Sequence, residues 1–323
     1  MKKEVIFSKR PFPFLFSLIS CVLWGSAFPV LKISYQELRF SADDVLGRIA
    51  LGGIRFFLAS LLLLFVTGVI FKESLRIKRN SMLKLFLLGI FQTGVMYILF
   101  YNGVANTTGM KSSIIGGLET FFTIIIAHFI YENDRIDRNK ALGILFGFSG
   151  LIISSWGQGL SGGFTFQGEG FLILSSLIGA LSAIYVKKIS KDINPFIITS
   201  FQMLFGSILM LIIGSPRLVT LSVSFTPLAT GLLIYSAFLS AISFALWYML
   251  LKYNKAGEIS IYRFIIPVSG AVLSAIFIPG ESFTIKMLVA LAFVALGIML
   301  ANGGRLFNGL SMINNKIKES HNN

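Results

Sequence analysis

Four charged residues lie within or at the end of apolar stretches and are the best candidates for chemistry: Glu119, Arg55, Arg263 and Lys32. An isolated acid at the centre of a bilayer costs about 2.5–3.5 kcal/mol on insertion scales, so Glu119 must be paired, protonated or in contact with water. A charge kept there despite this cost indicates an ion or substrate site. Glu119 would bind a cationic group or a coupling proton. The alternative is a static ion pair that stabilises one helix bundle.

The depth of each charge in its apolar segment indicates which groups could pair. At a rise of about 1.5 Å per residue, Glu119 lies about 13 Å and Arg55 about 9 Å from the outer ends of their segments. Arg263 lies about 10 Å further in than Glu119. If the helices are straight we expect a direct Glu119–Arg55 pair, and Arg263 would need a helix bend or a bound anion to reach Glu119.

The two remaining cations have more than one interpretation. Arg263 either holds a substrate carboxylate with its planar guanidinium or reaches toward the inner headgroups. Lys32 lies near the outer boundary, where we expect it to extend toward the headgroups, although it stays a candidate ligand.

Aromatic residues at helical spacing are the next candidates for a substrate site. Tyr97 and Tyr101 share one helix face with Thr93, and Trp247 shares a face of a later helix with the serines Ser236, Ser240 and Ser243. Together with Trp24, these rings could line an amphipathic cavity and stack on an organic substrate. Small polar residues also pack helices closely, and we favour that role for the serines.

The composition requires that these residues lie in membrane helices. Hydrophobic residues make up 55% of the 323 residues and charged residues only 13%, compared with about 25% charged residues in soluble domains. Such a chain cannot cover its surface with polar groups, so lipid must cover it. The net charge of +14 comes from short basic clusters between apolar runs and not from one patch, which argues against a nucleic-acid partner. The single cysteine, Cys21, excludes an intramolecular disulfide and a cysteine metal cluster.

Apolar segments long enough to span a bilayer predict ten helices, at 12–32, 47–71, 82–104, 110–131, 140–156, 169–188, 195–213, 228–250, 258–278 and 285–302. The first is longer than a signal-peptide core, so we expect it to be uncleaved. With the N-terminus inside, 20 of the 28 Lys and Arg residues fall in inner segments, 5 in outer segments and 3 in spans. The positive-inside rule therefore favours ten helices with both termini cytoplasmic and a polar cytoplasmic tail at 307–323.

The fourth and ninth segments share one plan. Gly109–Glu132 and Gly257–Glu281 each begin with glycine and end with an acid, and the second has Pro267 where the first has Glu119. Two units, 1–156 and 157–306, would then contain five helices each, so the second enters the membrane from the opposite side. Such inverted repeats are typical of secondary transporters that bind substrate between the halves. Chance similarity among apolar helices is the alternative.

Three motifs carry a resemblance to a known family: WGSAFPVLK (24–32), GIRFFLAS (53–60) and NKAGEIS with IIPVSGAVLSAIFIPGES (254–282). They resemble the motifs of EamA-type transporters in the drug/metabolite transporter (DMT) superfamily, and the resemblance covers nearly the whole chain. It implies an all-α integral membrane protein with ten transmembrane helices, which exports or exchanges small metabolites. The chain departs from the family pattern at Glu119, where the first unit would be expected to carry proline.

Other classes of protein lack a positive signal in this sequence. A membrane-embedded enzyme would need a constellation such as H-E-x-x-H, which does not occur, and no Walker A motif indicates ATP. YENDRID (131–137) contains three acids, but arginines lie among and beside them, so we interpret it as a solvated loop and predict no metal site. A receptor or scaffold stays open as an alternative. Small-residue faces, such as Gly143 with Gly147, allow close helix approach within one subunit or in a homodimer.

The sequence therefore predicts a secondary transporter and not an enzyme, without a cofactor, in the cell membrane. The expected cargo is a small organic metabolite, such as an amino acid or an amine. It would move by alternating access, driven by a substrate gradient or by protons through Glu119.

Overall fold

The computed structural model describes residues 7–8, 11–41, 43–107, 109–155, 164–223, 225–279 and 282–301. Helices account for most of these residues, and none of them lies in a β-strand. We number the helices along the described chain as α1 Phe12–Glu37, α2 Val45–Ile70, α3 Arg79–Ala105, α4 Lys111–Ile130, α5 Arg138–Ser155, α6 Phe166–Ile189, α7 Pro195–Val223, α8 Pro227–Tyr253, α9 Ala256–Phe277 and α10 Ile285–Ala301. The predicted tail at 307–323 lies outside the described residues.

Eight of these helices, α1 to α4 and α6 to α9, are long and apolar enough to cross a membrane. The helical membrane architecture predicted from the sequence is therefore confirmed. Helix α5 has 18 residues and α10 has 17, so they are about 27 Å and 26 Å long, slightly less than a hydrocarbon core of about 30 Å. They lie where the fifth and tenth spans were predicted, and their crossing of the membrane stays a prediction.

Two helices extend further than predicted at their C-terminal ends. Helix α1 continues to Glu37, and α7 continues through Pro216 to Val223 instead of ending at residue 213. Arg217, assigned to an outer loop from the sequence, therefore lies within a helix. Hydropathy detects contact with lipid, which ends before the helix does, so the apolar pattern places both ends too early.

The two halves of the chain pack against each other in a regular pattern. Helix α2 packs along α7, and α5 packs along α10. Helix α1 packs against α8 and α9, while α6 packs against α3 and α4. If each helix number is changed by five, the contacts of α1 with α8 and α9 become the contacts of α6 with α3 and α4.

Glycines allow the closest of these approaches. A Cβ added to Gly143 would lie 2.5 Å from the Cβ of Ala301, and one added to Gly297 would lie 2.7 Å from the carbonyl oxygen of Gly143. The small-residue faces noted in the sequence thus pack α5 against α10 within one subunit. A homodimer stays a prediction.

Helices α4 and α9 both depart from regular α geometry close to their charged residues. Helix α4 is interrupted by a turn at Gly117, two residues before Glu119. Helix α9 tightens into a 3₁₀ turn at Ile261–Phe264, which contains Arg263. Short 3₁₀ segments inside helices often mark functional hinges. The irregular turns therefore coincide with the residues that the sequence singles out.

Candidate functional site

The site is built around an ion pair between α4 and α9. Nη2 of Arg263 donates a hydrogen bond of 2.6 Å to Oε2 of Glu119, and the two side chains are 19% and 12% exposed. The predicted Glu119–Arg55 pair is therefore wrong. The depth estimate assumed straight helices, whereas the turns at Gly117 and at Ile261–Phe264 and the length of the arginine side chain bring Arg263 to Glu119.

Helix α6 supports the carboxylate of Glu119 from behind. A Cβ added to Gly179 would lie 2.6 Å from Cδ of Glu119 and 2.7 Å from its Oε1. Both distances are too short for a side chain at this position unless the carboxylate moves, so glycine leaves room for the carboxylate where it lies. Sequence reasoning missed Gly179, because a lone glycine in an apolar run resembles any other small residue of a helix interface.

Two adjacent tryptophans contact the guanidinium of Arg263. Its Cζ lies 5.4 Å from the ring centroid of Trp24 and 5.6 Å from that of Trp247, and the two rings are 5.5 Å apart at 64°. Each cation–π contact contributes about 0.5–2 kcal/mol. Gly25, beside Trp24, lets α1 approach α9, since a Cβ there would lie 2.9 Å from the backbone nitrogen of Gly270. Arg263 is thus held by one charge and two rings.

Tyrosines of α3 continue this aromatic wall toward α2. The ring of Tyr97 lies 5.9 Å from Tyr101 and 4.6 Å from Phe56. Tyr97 is also within electrostatic range of both Glu119 and Arg263. Tyr97, Trp24 and Trp247, which the sequence places on three separate helices, therefore lie around one ion pair.

Arg55 belongs to the same region but has no ion pair with Glu119. Its guanidinium lies 4.4 Å from the ring centroid of Phe56 and 5.9 Å from that of Tyr97. Arg55 is only 4% exposed, and its Nε and Nη1 atoms are buried without a hydrogen-bond partner. The side chain is stacked and desolvated, with unused donors.

Tyr248 is a further polar residue that sequence reasoning missed. Its hydroxyl is buried without a hydrogen-bond partner and lies within electrostatic range of Tyr97, Glu119 and Arg263. It follows Trp247 directly in α8, where a tyrosine in an apolar run has the pattern of a core residue. Only the packing of α8 against α1 and α2 brings it to the site.

The other predicted candidates lie away from the pair or have structural partners. Lys32 is exposed on α1, eight residues and about 12 Å along the helix from Trp24. The hydroxyl groups of Ser236 and Ser240 donate to backbone carbonyls of their own helix at 2.8 and 2.7 Å. This geometry supports the packing role expected for these serines.

Asp134 follows the end of α4 opposite to Lys111, and its buried side chain links this end to the N-terminus of α9. It is 1% exposed and accepts hydrogen bonds from Nζ of Lys140 at 2.6 Å and from the backbone N–H of Gly257 at 2.8 Å. The expectation of a solvated loop at 131–137 is therefore wrong for this residue. Its carboxylate caps the N-terminus of α9, which the helix dipole favours, and so ties the segment after α4 to α9.

Ion pairs also join helices at the opposite end. Lys111 of α4 contacts Glu169 of α6 at 2.8 Å, and Arg217 of α7 pairs with Asp44, which caps α2. Partial burial alone would raise the pKa of Asp44, but hydrogen bonds from Arg217 and from the Gly47 N–H outweigh it and hold the pKa below its ordinary value.

A surface groove lies away from the central pair. It has a volume of about 410 Å³ and is lined mainly by apolar residues of α4 and α6, with Lys188 and Lys191 nearby. Among the residues that the structure describes, no group of three or more His, Cys, Asp or Glu side chains could hold a metal ion. The charged pair with its aromatic wall is therefore the candidate functional site.

Comparisons with known proteins agree with this architecture. The model of the EamA-like transporter family matches residues 12–156 and 166–303. An uncharacterized transporter of Archaeoglobus fulgidus is 26% identical over 284 residues, which cover 87% of this chain and 95% of that protein. The uncharacterized transporter YvbV of Bacillus subtilis is 24% identical, over 87% of this chain and 88% of its own.

The fold also has a counterpart among crystal structures. One protein superposes with a TM-score of 0.71 at 13% sequence identity, over 89% of this chain and 95% of its own. At this identity the likeness extends to the fold alone. The two family matches together cover most of the sequence, and the motifs and packed helices described above lie within them. The chain is a multi-pass membrane protein that belongs to the EamA-like transporter family.

Proposed function

We propose that this protein is a secondary transporter that moves a small organic metabolite bearing a charged group across the cell membrane by alternating access. Ten transmembrane helices would form two inverted five-helix units, 1–156 and 157–306, with both termini cytoplasmic. The two separate family matches and the regular pairing of helices between the halves support this organisation.

The observation that carries the proposal is the Glu119–Arg263 pair. It joins α4 and α9, which occupy equivalent positions in the two proposed units, and its arginine contacts the rings of Trp24 and Trp247. When a buried ion pair opens, each charge needs a replacement partner, because an unpaired buried charge costs several kcal/mol of free energy. A charged group of the substrate can supply that replacement. Binding would thereby be linked to relative movement of α4 and α9.

Glu119 has a second role that a transport assay can separate from the first. Protonation of its carboxyl would release Arg263 without a substrate, so a proton could drive the same rearrangement. The static alternative, in which the pair only stabilises the fold, predicts that its removal changes stability without changing the pH response of transport.

Counterflow of labelled substrate in proteoliposomes tests the proposal. A ligand-stabilisation screen of the purified protein against amino acids, amines, nucleosides and organic acids first supplies the substrate. We expect Glu119→Gln to lower the initial rate at least about tenfold and to abolish its response to a pH gradient. The matched control is Glu132→Gln, which removes an exposed acid that follows α4 and should transport normally.

Two results would contradict the proposal. Equal transport and equal pH response in Glu119→Gln and in the unaltered protein would exclude Glu119 from coupling. Absence of counterflow with every stabilising ligand, together with chemical conversion of one of them, would favour a membrane-embedded enzyme instead.

A further inference from the structure

Arg55 of α2 is a buried cation that the ion pair of the site does not use. It is 4% exposed, and two of its three guanidinium nitrogens, Nε and Nη1, are buried without a hydrogen-bond partner. The rings of Phe56 and Tyr97 stack on it but cannot accept its in-plane N–H groups. Buried guanidinium donors are normally satisfied, because an unpaired charge in a low-dielectric interior is costly. Such donors in a functional site point to a ligand.

The charge count in this region gives the sign of that ligand. Arg55 and Arg263 contribute two positive charges, and Glu119 contributes one negative charge that is already bound to Arg263. One positive charge is therefore in excess, and it belongs to Arg55. Tyr97 lies within electrostatic range of all three groups, so they form one cluster.

We propose that Arg55 binds the anionic group of the transported substrate, so that the cargo is an organic anion such as a carboxylate with an apolar body. This inference rests on the proposed function and specifies its substrate class. The planar fork of a guanidinium matches the two oxygens of a carboxylate. The aromatic wall of Tyr97, Trp24 and Trp247 contacts the apolar body of the substrate.

The face of α2 beside Arg55 provides an approach for such an anion. Arg48 lies two helical turns nearer the end of α2 capped by Asp44, and its Nε is likewise buried without a hydrogen-bond partner. Between the two arginines, the hydroxyl of Tyr101 lies over Gly52, where an added Cβ would be 3.0 Å from it. Arg217 already pairs with Asp44 at this end of α2, whereas Arg48 keeps a buried donor without a partner. An anion that enters along α2 would thus meet Arg48 before it reaches Arg55.

Thermal unfolding of the purified full-length protein with three probes of one shape tests the proposal. The probes are 3-phenylpropanoate, 3-phenylpropylamine and neutral 3-phenylpropanamide. We expect only the carboxylate to raise Tm, by about 3 °C or more at saturation. In Arg55→Met this shift should disappear, while Tm without a probe should be unchanged or higher, because an unpaired buried charge has been removed. Arg76→Met, which alters an exposed loop arginine, should keep the full shift.

Every other result of the unfolding experiment counts against the proposal. Equal stabilisation by the amine or the amide would exclude an anion site. Retention of the carboxylate shift in Arg55→Met would exclude Arg55 as its ligand. A large fall in Tm of Arg55→Met without a probe, or failure of that variant to fold, would assign Arg55 a structural role. In that case Arg55→Lys, which keeps the positive charge, should still fold. Counterflow of 3-phenylpropanoate is measured separately. Binding without flux would contradict the proposed transport function and leave the anion site in place.

Discussion

The Glu119–Arg263 pair offers a quantitative test, because both side chains are largely buried and contact each other directly. At 2.6 Å and an effective dielectric constant of about 20, their Coulomb attraction is about 6 kcal/mol. The cost of removing two ions from water offsets most of this attraction, so the net contribution of the pair to stability is small. Loss of one partner, in contrast, leaves a buried charge uncompensated and costs about 3–5 kcal/mol.

A double-mutant cycle separates these quantities. We expect Arg263→Gln to lower the free energy of unfolding by about 4 kcal/mol, because Glu119 is left without a cation. Glu119→Gln should lose less, about 2 kcal/mol, because Arg263 keeps its contacts with Trp24 and Trp247. The double variant contains neither charge but also loses the contacts of Arg263 with the two tryptophans, so it should lose about 3 kcal/mol instead of the sum of about 6, which gives a coupling energy of about 3 kcal/mol.

Detergent-induced unfolding in mixed micelles, followed by tryptophan fluorescence, is a suitable assay, since Trp24 and Trp247 contact the arginine of the pair. The control cycle combines Glu119→Gln with Arg76→Gln, an exposed residue, and should be additive within about 0.5 kcal/mol. If the Glu119 and Arg263 substitutions are equally additive, the two side chains do not interact in the folded protein and the proposed site is refuted.

Three further perturbations test contacts around the site and at the helix ends. Gly179→Ala should displace the Glu119 carboxylate, lower stability by about 1–3 kcal/mol and reduce counterflow. The control is Gly231→Ala, whose added Cβ meets no atom within 4 Å and should have none of these effects. Asp134→Ala should lower stability by about 3–5 kcal/mol in thermal or detergent unfolding, because it leaves a buried lysine unpaired. Asp44→Asn should lower Tm at neutral pH. Because the folded pKa of Asp44 lies below its ordinary value of 3.8, the stabilisation by its carboxylate is complete above pH 3.8. The difference in Tm between the variant and the unaltered protein should vanish as the pH falls through the folded pKa. A difference that persists in strong acid would contradict the ionic role of Asp44.

The site shows where sequence reasoning succeeds and where it fails. Glu119 and Arg263 stand out because a charge in an apolar run is costly wherever the run lies, and Trp24, Tyr97 and Trp247 stand out by their size and helical spacing. Their partners cannot be predicted in the same way. Depth along straight helices favours Arg55 as the partner of Glu119, but α4 and α9 are interrupted by local turns at Gly117 and at Ile261–Phe264.

Close packing is equally hidden from the sequence. Gly179 matters only because the Glu119 carboxylate occupies the space of its missing side chain. Asp134 looks like a loop acid among arginines, yet the fold buries it against Lys140 and the N-terminus of α9. Both contacts join segments that are distant in the chain, so neither hydropathy nor local spacing can indicate them.

The membrane class can be predicted from the sequence alone, as can the approximate positions of the helices and the charged and aromatic candidates, because composition, hydropathy and local periodicity act along the chain. The family follows from the resemblance of its motifs. The packing of the helices is needed to show that Glu119 binds Arg263, that two tryptophans contact this arginine and that Arg55 is buried with unused donors. Such pairings depend on helix bends and on approach distances of a few ångströms between remote segments, which no pattern along a single helix records.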